Sequence, residues 1–174
     1  MMKLQIGVIG GSQPDQEHRK MAYEVGKLLS KAGSVVICGG LTGVMEAVAE
    51  GVEEEGGTCI GLLPGNSPLE GSIHLTVALP TGIGFARNFL IVRASDALIA
   101  IDGSNGTLSE AAFAMAEGKS VVSLDSVVLS RQKESEGNFI VASTPDEAVG
   151  IALEEAMKKR NEYSSGKFQL RQFG

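Results

Sequence analysis

The sequence predicts an α/β fold in which helices cover both faces of a doubly wound, mostly parallel sheet of about seven strands. Short apolar runs alternate with longer segments of helical periodicity along the 174 residues. Three of the apolar runs end in glycine-rich turns. This alternation is typical of parallel strands that are joined by crossover helices.

The first third of the chain repeats a strand, a glycine-rich turn and a helix. Each strand is a short apolar run, and each helix carries an apolar residue at every third or fourth position. The predicted bounds are 4–9 and about 15–32 for the first strand and helix, and 34–38 and about 44–55 for the second strand and helix. Gly33 and the pair Gly56-Gly57 end the two helices.

The rest of the chain continues the alternation. A polar loop at 64–72 has no periodicity, and a second polar stretch at 125–138 is also predicted to be a loop. The remaining predicted elements are strands at 58–63, 75–79, 97–101, 120–124 and 139–142, helices at 85–94 and from Thr107 to Gly118, and a last helix that begins after Thr144.

Composition and charge exclude several classes of function. The net charge of −6 disfavours a nucleic-acid partner, and no apolar run reaches the length of a membrane span. Cys38 and Cys59 form no Cys-x-x-Cys pair, and His18 and His74 lack neighbours at ligand spacing, so no metal site is expected. The chain runs straight into a strand without a secretory leader, which predicts a cytoplasmic protein.

The organisation predicted from these elements is a single domain over residues 1–163. Residues 164–174 have no clear period and are expected to be mobile or to lie on a neighbouring molecule. The helix at 85–94 is apolar nearly all round, which indicates that more than one of its sides is buried. In a domain of this size the second side is expected to face another subunit, so a homodimer or higher homo-oligomer is predicted.

The most informative stretch is residues 97–110, where a buried strand, a glycine turn and a helix follow one another. This arrangement directs free backbone N–H groups towards an anion, and Glu110 lies one helical turn after Thr107. Two structural alternatives remain open at this point. Thr107 and Glu110 also fit a capping box, and Asn105-Gly106 also fits an ordinary tight turn.

Three glycine-rich turns are expected to meet at the carboxyl ends of the strands and to form a cleft for a phosphorylated ligand of nucleotide size. A dinucleotide site is disfavoured because the glycine spacing after the first strand is out of register and the second strand ends in Cys38-Gly39 rather than in an acidic residue. No P-loop sequence is present. The candidate binding residues are Gly10, Gly11, Ser12, Gly39, Gly40, Thr42, Gly43, Gly103, Ser104, Asn105, Gly106 and Thr107.

Four segments carry a resemblance to a known family. Gly39-Gly-Leu-Thr-Gly-Val-Met-Glu46, Arg87-Asn88, Ser95-Asp-Ala-Leu-Ile-Ala100 and Gly103-Ser-Asn-Gly-Thr-Leu-Ser-Glu110 resemble the LONELY GUY (LOG) superfamily, often mislabelled "lysine decarboxylase". The branch it resembles more closely is related to molybdenum cofactor carrier proteins. The resemblance extends over about residues 4–150 and implies a modified Rossmann fold and a dimer or higher oligomer.

The resemblance also implies a reaction and its residues. LOG enzymes are phosphoribohydrolases that cut the N-glycosidic bond of a nucleoside 5′-monophosphate, with the signature Pro-Gly-Gly-x-Gly-Thr-x-x-Glu and an upstream Arg. Arg87 and Glu110 match the catalytic positions. Asp102 stands where the enzymes have Pro, and Ser104 stands where they have the second Gly. Both departures count against hydrolysis more than against binding.

Two functions therefore follow from the sequence. The first is a nucleotide-binding, LOG-like phosphoribohydrolase, and the second is a non-catalytic carrier of a phosphorylated pterin-type cofactor such as the molybdenum cofactor. A ligand sensor coupled to a partner protein is a third possibility. No resident cofactor is required. A lysine decarboxylase is rejected because pyridoxal phosphate needs a reactive lysine, and Lys119, the lysine near the motif, follows the helix stop at Gly118.

Overall fold

A computed structural model describes residues 2–165 of the chain. The strands are β1 (Gln5–Gly10), β2 (Val35–Cys38), β3 (Thr58–Leu63), β4 (Val77–Pro80), β5 (Ala97–Asp102), β6 (Val121–Ser126) and β7 (Phe139–Ala142). The helices are α1 (Gln16–Lys31), α2 (Val44–Glu54), α3 (Asn88–Ala94), α4 (Asn105–Ala116) and α5 (Pro145–Ser164), with short 3-10 turns at Pro68–Glu70 and Gly84–Arg87.

The strands form one seven-stranded parallel sheet in the order β4-β3-β2-β1-β5-β6-β7. The chain builds the sheet outwards from β1 in one direction and then returns to add β5 on its other side. The strand order therefore reverses between β1 and β5, which is where doubly wound sheets form their ligand crevice. The predicted fold class is confirmed.

Alternating side chains of the strands feed two hydrophobic layers. Ile6, Val8 and Val36 face the layer that α1, α2 and α5 cover, whereas Ile9 and Ile37 face the layer of α3 and α4. Strands that are buried on both faces read as continuous apolar runs. The continuous apolar run of β3 accordingly begins and ends where the sequence predicts. The edge strand β7 also has the predicted bounds, although only Ala142 in it is buried.

The α-helix predicted over 85–94 is shorter than expected. Its first turn is the 3-10 turn Gly84–Arg87, which follows Gly82 and begins at Gly84, both with positive φ, and only Asn88–Ala94 is α-helical. In α3, Ile91 and Val92 are buried, whereas Phe89 and Leu90 are 52% and 41% exposed. The helix is therefore buried on one side in the isolated chain.

The edge strand β4 is only partly buried. Val77 and Leu79 pair in register with Ile60 and Leu62, so they lie on the face that carries α3. Because α3 packs on β1 and β2, Val77 and Leu79 remain 40% and 44% exposed. Within residues 2–165, this part of the sheet carries an uncovered apolar face.

Three expectations from the sequence can be compared with this fold. The predicted tail at 164–174 starts at the end of α5, and residues 166–174 lie outside the described part. In residues 2–165, no helix is long and apolar enough to cross a membrane. The same residues contain no group of three or more histidine, cysteine, aspartate or glutamate side chains that could hold a metal ion.

Candidate functional site

The three glycine-rich turns lie against one another at the carboxyl edge of the sheet. The amide of Val44 donates to the carbonyl of Gly11 at 3.0 Å. A β-carbon on Gly43, whose φ is +72°, would lie 2.5 Å from that same carbonyl oxygen. On the other side, a β-carbon on Gly11 would lie 2.2 Å from Oδ2 of Asp102. The turn after β1 is therefore held between those after β2 and β5, as the sequence predicts.

The α4 helix begins at the open edge of this cleft. Its N-cap is Ser104, whose hydroxyl makes no capping hydrogen bond, and the first helical bond runs from the amide of Leu108 to the carbonyl of Ser104 at 2.9 Å. The amides that precede Leu108 have no carbonyl within the helix to accept them. Because residues 104–106 are exposed, these donors and the positive end of the helix dipole are available to an anion.

The capping-box interpretation of Thr107 and Glu110 is wrong. Thr107 lies inside the first turn of α4 and is buried rather than capping it. Its hydroxyl packs beside Gly103, where a β-carbon would lie 2.4 Å from Oγ1 and where φ is +118°. Glycine at 103 thus lets the chain turn sharply between β5 and the start of α4.

Asp102 adopts a left-handed backbone conformation, with φ of +52°, at the end of β5. Its carbonyl accepts a hydrogen bond from the hydroxyl of Ser126, and its carboxylate lies beside Gly11. His18 lies close enough for this carboxylate to raise the pKa of its imidazole, together with Asp15 and Asp125, although partial burial opposes the charged ring. A cationic His18 offsets part of the negative charge that Asp102 brings to the cleft.

Arg87 is the buried cation of the site. It is only 6% exposed. Nη1 donates to the side-chain oxygen of Asn88, and Nη2 donates to the carbonyl of Gly39 at 3.4 Å. Within residues 2–165, its buried Nε has no hydrogen-bond partner. Gly39 makes this approach possible, since a β-carbon there would lie 2.8 Å from Nη2.

Glu110 is the buried carboxyl group of the site. Its side chain lies on the first turns of α4 and is 8% exposed. Burial raises its pKa to about 7, and the positive charge of Arg87 partly offsets this effect. Burial also lowers the pKa of Arg87, against the attraction of Glu110. A carboxyl group with this pKa can accept or donate a proton near neutral pH.

A cavity of about 420 Å³ adjoins Glu110 and the start of α4. Sequence reasoning placed Glu110 and the α4 turn there but did not assign the aromatic side chains or Ser109 to the site. A signal that could have identified the two phenylalanines is the pair Gly82 and Gly84, whose positive φ values lead into the 3-10 turn that carries Phe85. The lining residues are Phe85, Ala86, Asn88, Phe89, Asn105, Gly106, Ser109 and Glu110.

The predicted binding residues divide into two groups. Gly10 and Gly40 serve packing, since a β-carbon on Gly10 would lie 2.2 Å from the carbonyl oxygen of Ile101, and one on Gly40 would lie 2.6 Å from Leu63. Thr42 does not cap α2; its hydroxyl donates to the carbonyl of Ser12 at 3.4 Å and links two turns. The side chains or backbone open to solvent belong to Ser12, Thr42, Ser104, Asn105 and Gly106.

Comparison with known proteins agrees with this architecture. A family model described as the SLOG cluster4 family matches residues 3–149. The chain is 42% identical over 158 residues to an uncharacterised protein of Archaeoglobus fulgidus, covering 91% of this chain and 100% of that one. It is 35% identical over 98 residues to a probable cytokinin riboside 5′-monophosphate phosphoribohydrolase of Oryza sativa subsp. japonica, covering 55% of this chain and 43% of that one.

Two solved structures are similar over nearly their whole length. The molybdenum cofactor binding protein of the phototrophic bacterium Rippkaea orientalis has a TM-score of 0.81 and 34% identity, covering 88% of this chain and 98% of that one. The molybdenum cofactor carrier protein of Chlamydomonas reinhardtii has a TM-score of 0.77 and 32% identity, covering 90% and 99%.

Proposed function

Because the chain belongs to the SLOG cluster4 family, we propose that it binds a small phosphorylated ligand in the cleft between β1 and β5 and carries a phosphorylated pterin of the molybdenum cofactor type. The observation that carries the proposal is the uncapped, exposed start of α4, which offers backbone donors to a phosphate. The phosphate lies on the amides of residues 103–107. The guanidinium of Arg87, which lies against Gly39 and whose buried Nε lacks a partner within residues 2–165, adds positive charge to the cleft.

Two features favour the carrier function. The solved structures that match over 98% and 99% of their own length are molybdenum cofactor binding and carrier proteins. In addition, Asp102 and Ser104 replace residues of the hydrolase signature. The Asp102 carboxylate lies against Gly11 and covers part of the backbone of that turn. A pterin phosphate that is held and released needs the anion site but no proton transfer.

A nucleoside 5′-monophosphate phosphoribohydrolase is the second candidate, and the Arg87–Glu110 pair favours it. In this reaction the bond between C1′ and the base breaks as water adds to C1′. Glu110 accepts the proton of that water, and the base leaves with a proton from solvent. Before it takes up this proton, the Glu110 carboxylate also stabilises the positive charge that develops on the ribose. The similarity to the rice phosphoribohydrolase covers 55% of this chain.

Two measurements separate these functions. In the first, the protein is denatured as purified, and the supernatant is assayed for molybdenum and for fluorescent oxidised pterin. In the second, base release is followed by chromatography for a panel of nucleoside 5′-monophosphates, with the parent and Glu110→Gln side by side. Bound pterin without base release supports the carrier; release that disappears in Glu110→Gln assigns the hydrolase and refutes the carrier.

The phosphate site has a matched pair of variants at one position. A β-carbon on Gly106 would meet no atom within 4 Å, so a side chain there does not disturb packing. Asp and Asn have the same size and differ in charge. We expect Gly106→Asp to bind ribose 5-phosphate about tenfold more weakly than Gly106→Asn. Equal affinities in calorimetry would show that the phosphate does not lie at the start of α4.

A homo-oligomer is also proposed, on a surface that includes the outward side of α3 expected from the sequence and adds the exposed face of β4. The uncovered face of β4 and the outward side of α3 supply apolar area that a second copy can bury, including Leu79 and Leu90, which are 44% and 41% exposed. Light scattering should give a dimer or higher oligomer for the parent and a smaller species for Leu79→Lys. Val128→Lys, at an exposed residue outside this face, is the control. A monomeric parent would refute the proposal. The cytoplasmic location stays a prediction.

A further inference from the structure

The cavity beside Glu110 extends from the phosphate-binding end of α4 to an aromatic wall. Asn105 and Gly106, at the start of α4, line the cavity together with Phe85 and Phe89. A volume of about 420 Å³ exceeds what a phosphate group needs. A ligand that places its phosphate on the start of α4 therefore has room for a larger group against the two phenylalanines.

The aromatic wall has one fixed member and one exposed member. Phe89 packs edge-on against Phe113, with ring centroids 4.5 Å apart and an angle of 72° between the planes. Phe85 is 89% exposed and lies on the 3-10 turn that begins at Gly84. An exposed aromatic ring at the edge of a cavity offers a flat apolar face at little cost in conformational entropy.

The lining also contains polar side chains. Asn88, Ser109 and Glu110 supply amide, hydroxyl and carboxyl groups. An apolar aromatic face combined with a few hydrogen-bonding side chains is suited to a planar heteroaromatic ring, which stacks on its faces and hydrogen-bonds along its edge. An aliphatic or sugar-only ligand would leave the two phenylalanines exposed to water.

We propose that this cavity is the subsite for the heteroaromatic ring of the ligand, a purine or pterin, and that Phe85 determines specificity for that ring. The inference rests on the proposed phosphate-binding function, because the phosphate fixes the ligand at the start of α4. It adds a residue that the family motif does not contain. Phe85 contacts the ring, whereas Glu110 contacts its edge.

The test compares ligands with and without a ring. The probes are ribose 5-phosphate, AMP, GMP, neopterin phosphate and the phosphate-free adenosine and neopterin, measured by calorimetry. We expect at least one ring-bearing phosphate to bind more tightly than ribose 5-phosphate. Phe85→Ala should weaken that ligand by about fivefold or more while leaving ribose 5-phosphate unchanged. Phe85→Tyr should retain the affinity, and Leu69→Ala, at another exposed apolar side chain, is the control.

A fluorescence experiment gives an independent readout. The chain contains no tryptophan, so Phe85→Trp introduces a single reporter in the cavity. Ring-bearing phosphates should quench this fluorescence at saturation, and ribose 5-phosphate should not. Because residue 85 is exposed, the substitution leaves the core unchanged.

The outcomes distinguish failure of the ring subsite from failure of the phosphate site. Equal affinity for ribose 5-phosphate and every ring-bearing phosphate overturns the ring subsite and leaves the phosphate site intact. The same holds if Phe85→Ala changes only the oligomeric state in light scattering, which would assign Phe85 to a subunit interface. Conversely, if adenosine or neopterin binds as tightly as its phosphate and loses affinity in Phe85→Ala, the ring subsite stands and the phosphate site fails.

Discussion

Replacing Glu110 by glutamine should change how the stability of the protein depends on pH. Burial raises the pKa of this carboxyl group from its ordinary 4.5 to about 7 in the folded protein. At low pH the group is protonated in both the folded and the unfolded chain. As the pH rises between these two values, the unfolded chain ionises first, and the folded protein loses stability. The amide in Glu110→Gln does not titrate in this range, so the variant is free of this loss.

The magnitude follows from the two pKa values. A pKa of about 7 in place of 4.5 corresponds to about 3 kcal/mol, at roughly 1.4 kcal/mol for each tenfold change in proton affinity. The loss is complete once the pH exceeds the pKa of the folded state. The free energy of unfolding of Glu110→Gln, minus that of the parent, should therefore increase by about 3 kcal/mol between about pH 4 and about pH 8.

Urea unfolding followed by circular dichroism at a series of pH values measures this difference. The constant offset caused by the altered contact with Arg87 does not affect the pH-dependent part. Glu17→Gln removes an exposed carboxylate from the first turn of α1 and is the matched control. Parallel pH profiles for Glu110→Gln and the parent would refute the reasoning, since they would mean that Glu110 is hydrated in the folded protein.

Three further predictions concern Gly103, His18 and Lys119. Gly103→Ala forces a β-carbon against the start of α4 at a φ of +118° and should lower the unfolding free energy by about 1–3 kcal/mol in urea titrations; a neutral effect would show that the turn can relax. His18 is within 2.8 Å of Asp15 and 3.1 Å of Asp125, and these carboxylates raise its pKa although burial opposes this. The stability that these ion pairs contribute is present below about pH 6.5 and is lost as the pH rises through the pKa of the folded state. His18→Gln should therefore melt at a lower temperature than the parent at about pH 6 and at the same temperature at about pH 9. Equal melting temperatures at both pH values would show that the ion pairs of His18 do not stabilise the fold. The ammonium group of Lys119 donates to the main-chain carbonyls of Val92, Arg93 and Ser95 at 2.6, 2.9 and 2.6 Å. Lys119→Met should therefore lower the unfolding free energy by about 1–3 kcal/mol in the same titrations. An unchanged midpoint would show that water replaces the ammonium group.

The sequence predicts the parts of this molecule that depend on burial and on steric necessity. The strand at 58–63 has the predicted bounds because it is a nearly continuous apolar run inside the sheet. Gly43 and Gly103 were assigned to turns in which a side chain would collide with a neighbouring turn or with the first turn of α4. Such positions leave a trace in the sequence because no other residue type fits them well.

The parts that the sequence did not predict depend on where the sheet and its helices stop. The strand predicted at 75–79 is found at Val77–Pro80 and is half exposed, since an edge strand is not buried on both faces. Thr107 matched the capping pattern with Glu110, but Ser104 begins the helix, because the chain has already turned at Gly103. Serine and threonine are both common N-cap residues, and the glutamate at 110 favoured the wrong start, so only the path of the backbone identifies Ser104.

The two candidate functions make opposite demands on Glu110. A buried carboxyl group that resists ionisation destabilises the fold near neutral pH. In a protein that only carries its ligand, the one function of Glu110 is its contact with the edge of the ligand ring. In a carrier, Glu110→Gln should gain stability above about pH 7 and keep or improve its affinity for an anionic ligand, since one negative charge is removed. In a hydrolase, the same variant gains stability but loses turnover, which is the usual relation between stability and activity at a catalytic group. Affinity and base release measured on this one variant therefore decide between carrying the ligand and cleaving it, while its gain in stability tests the burial of Glu110 in either case.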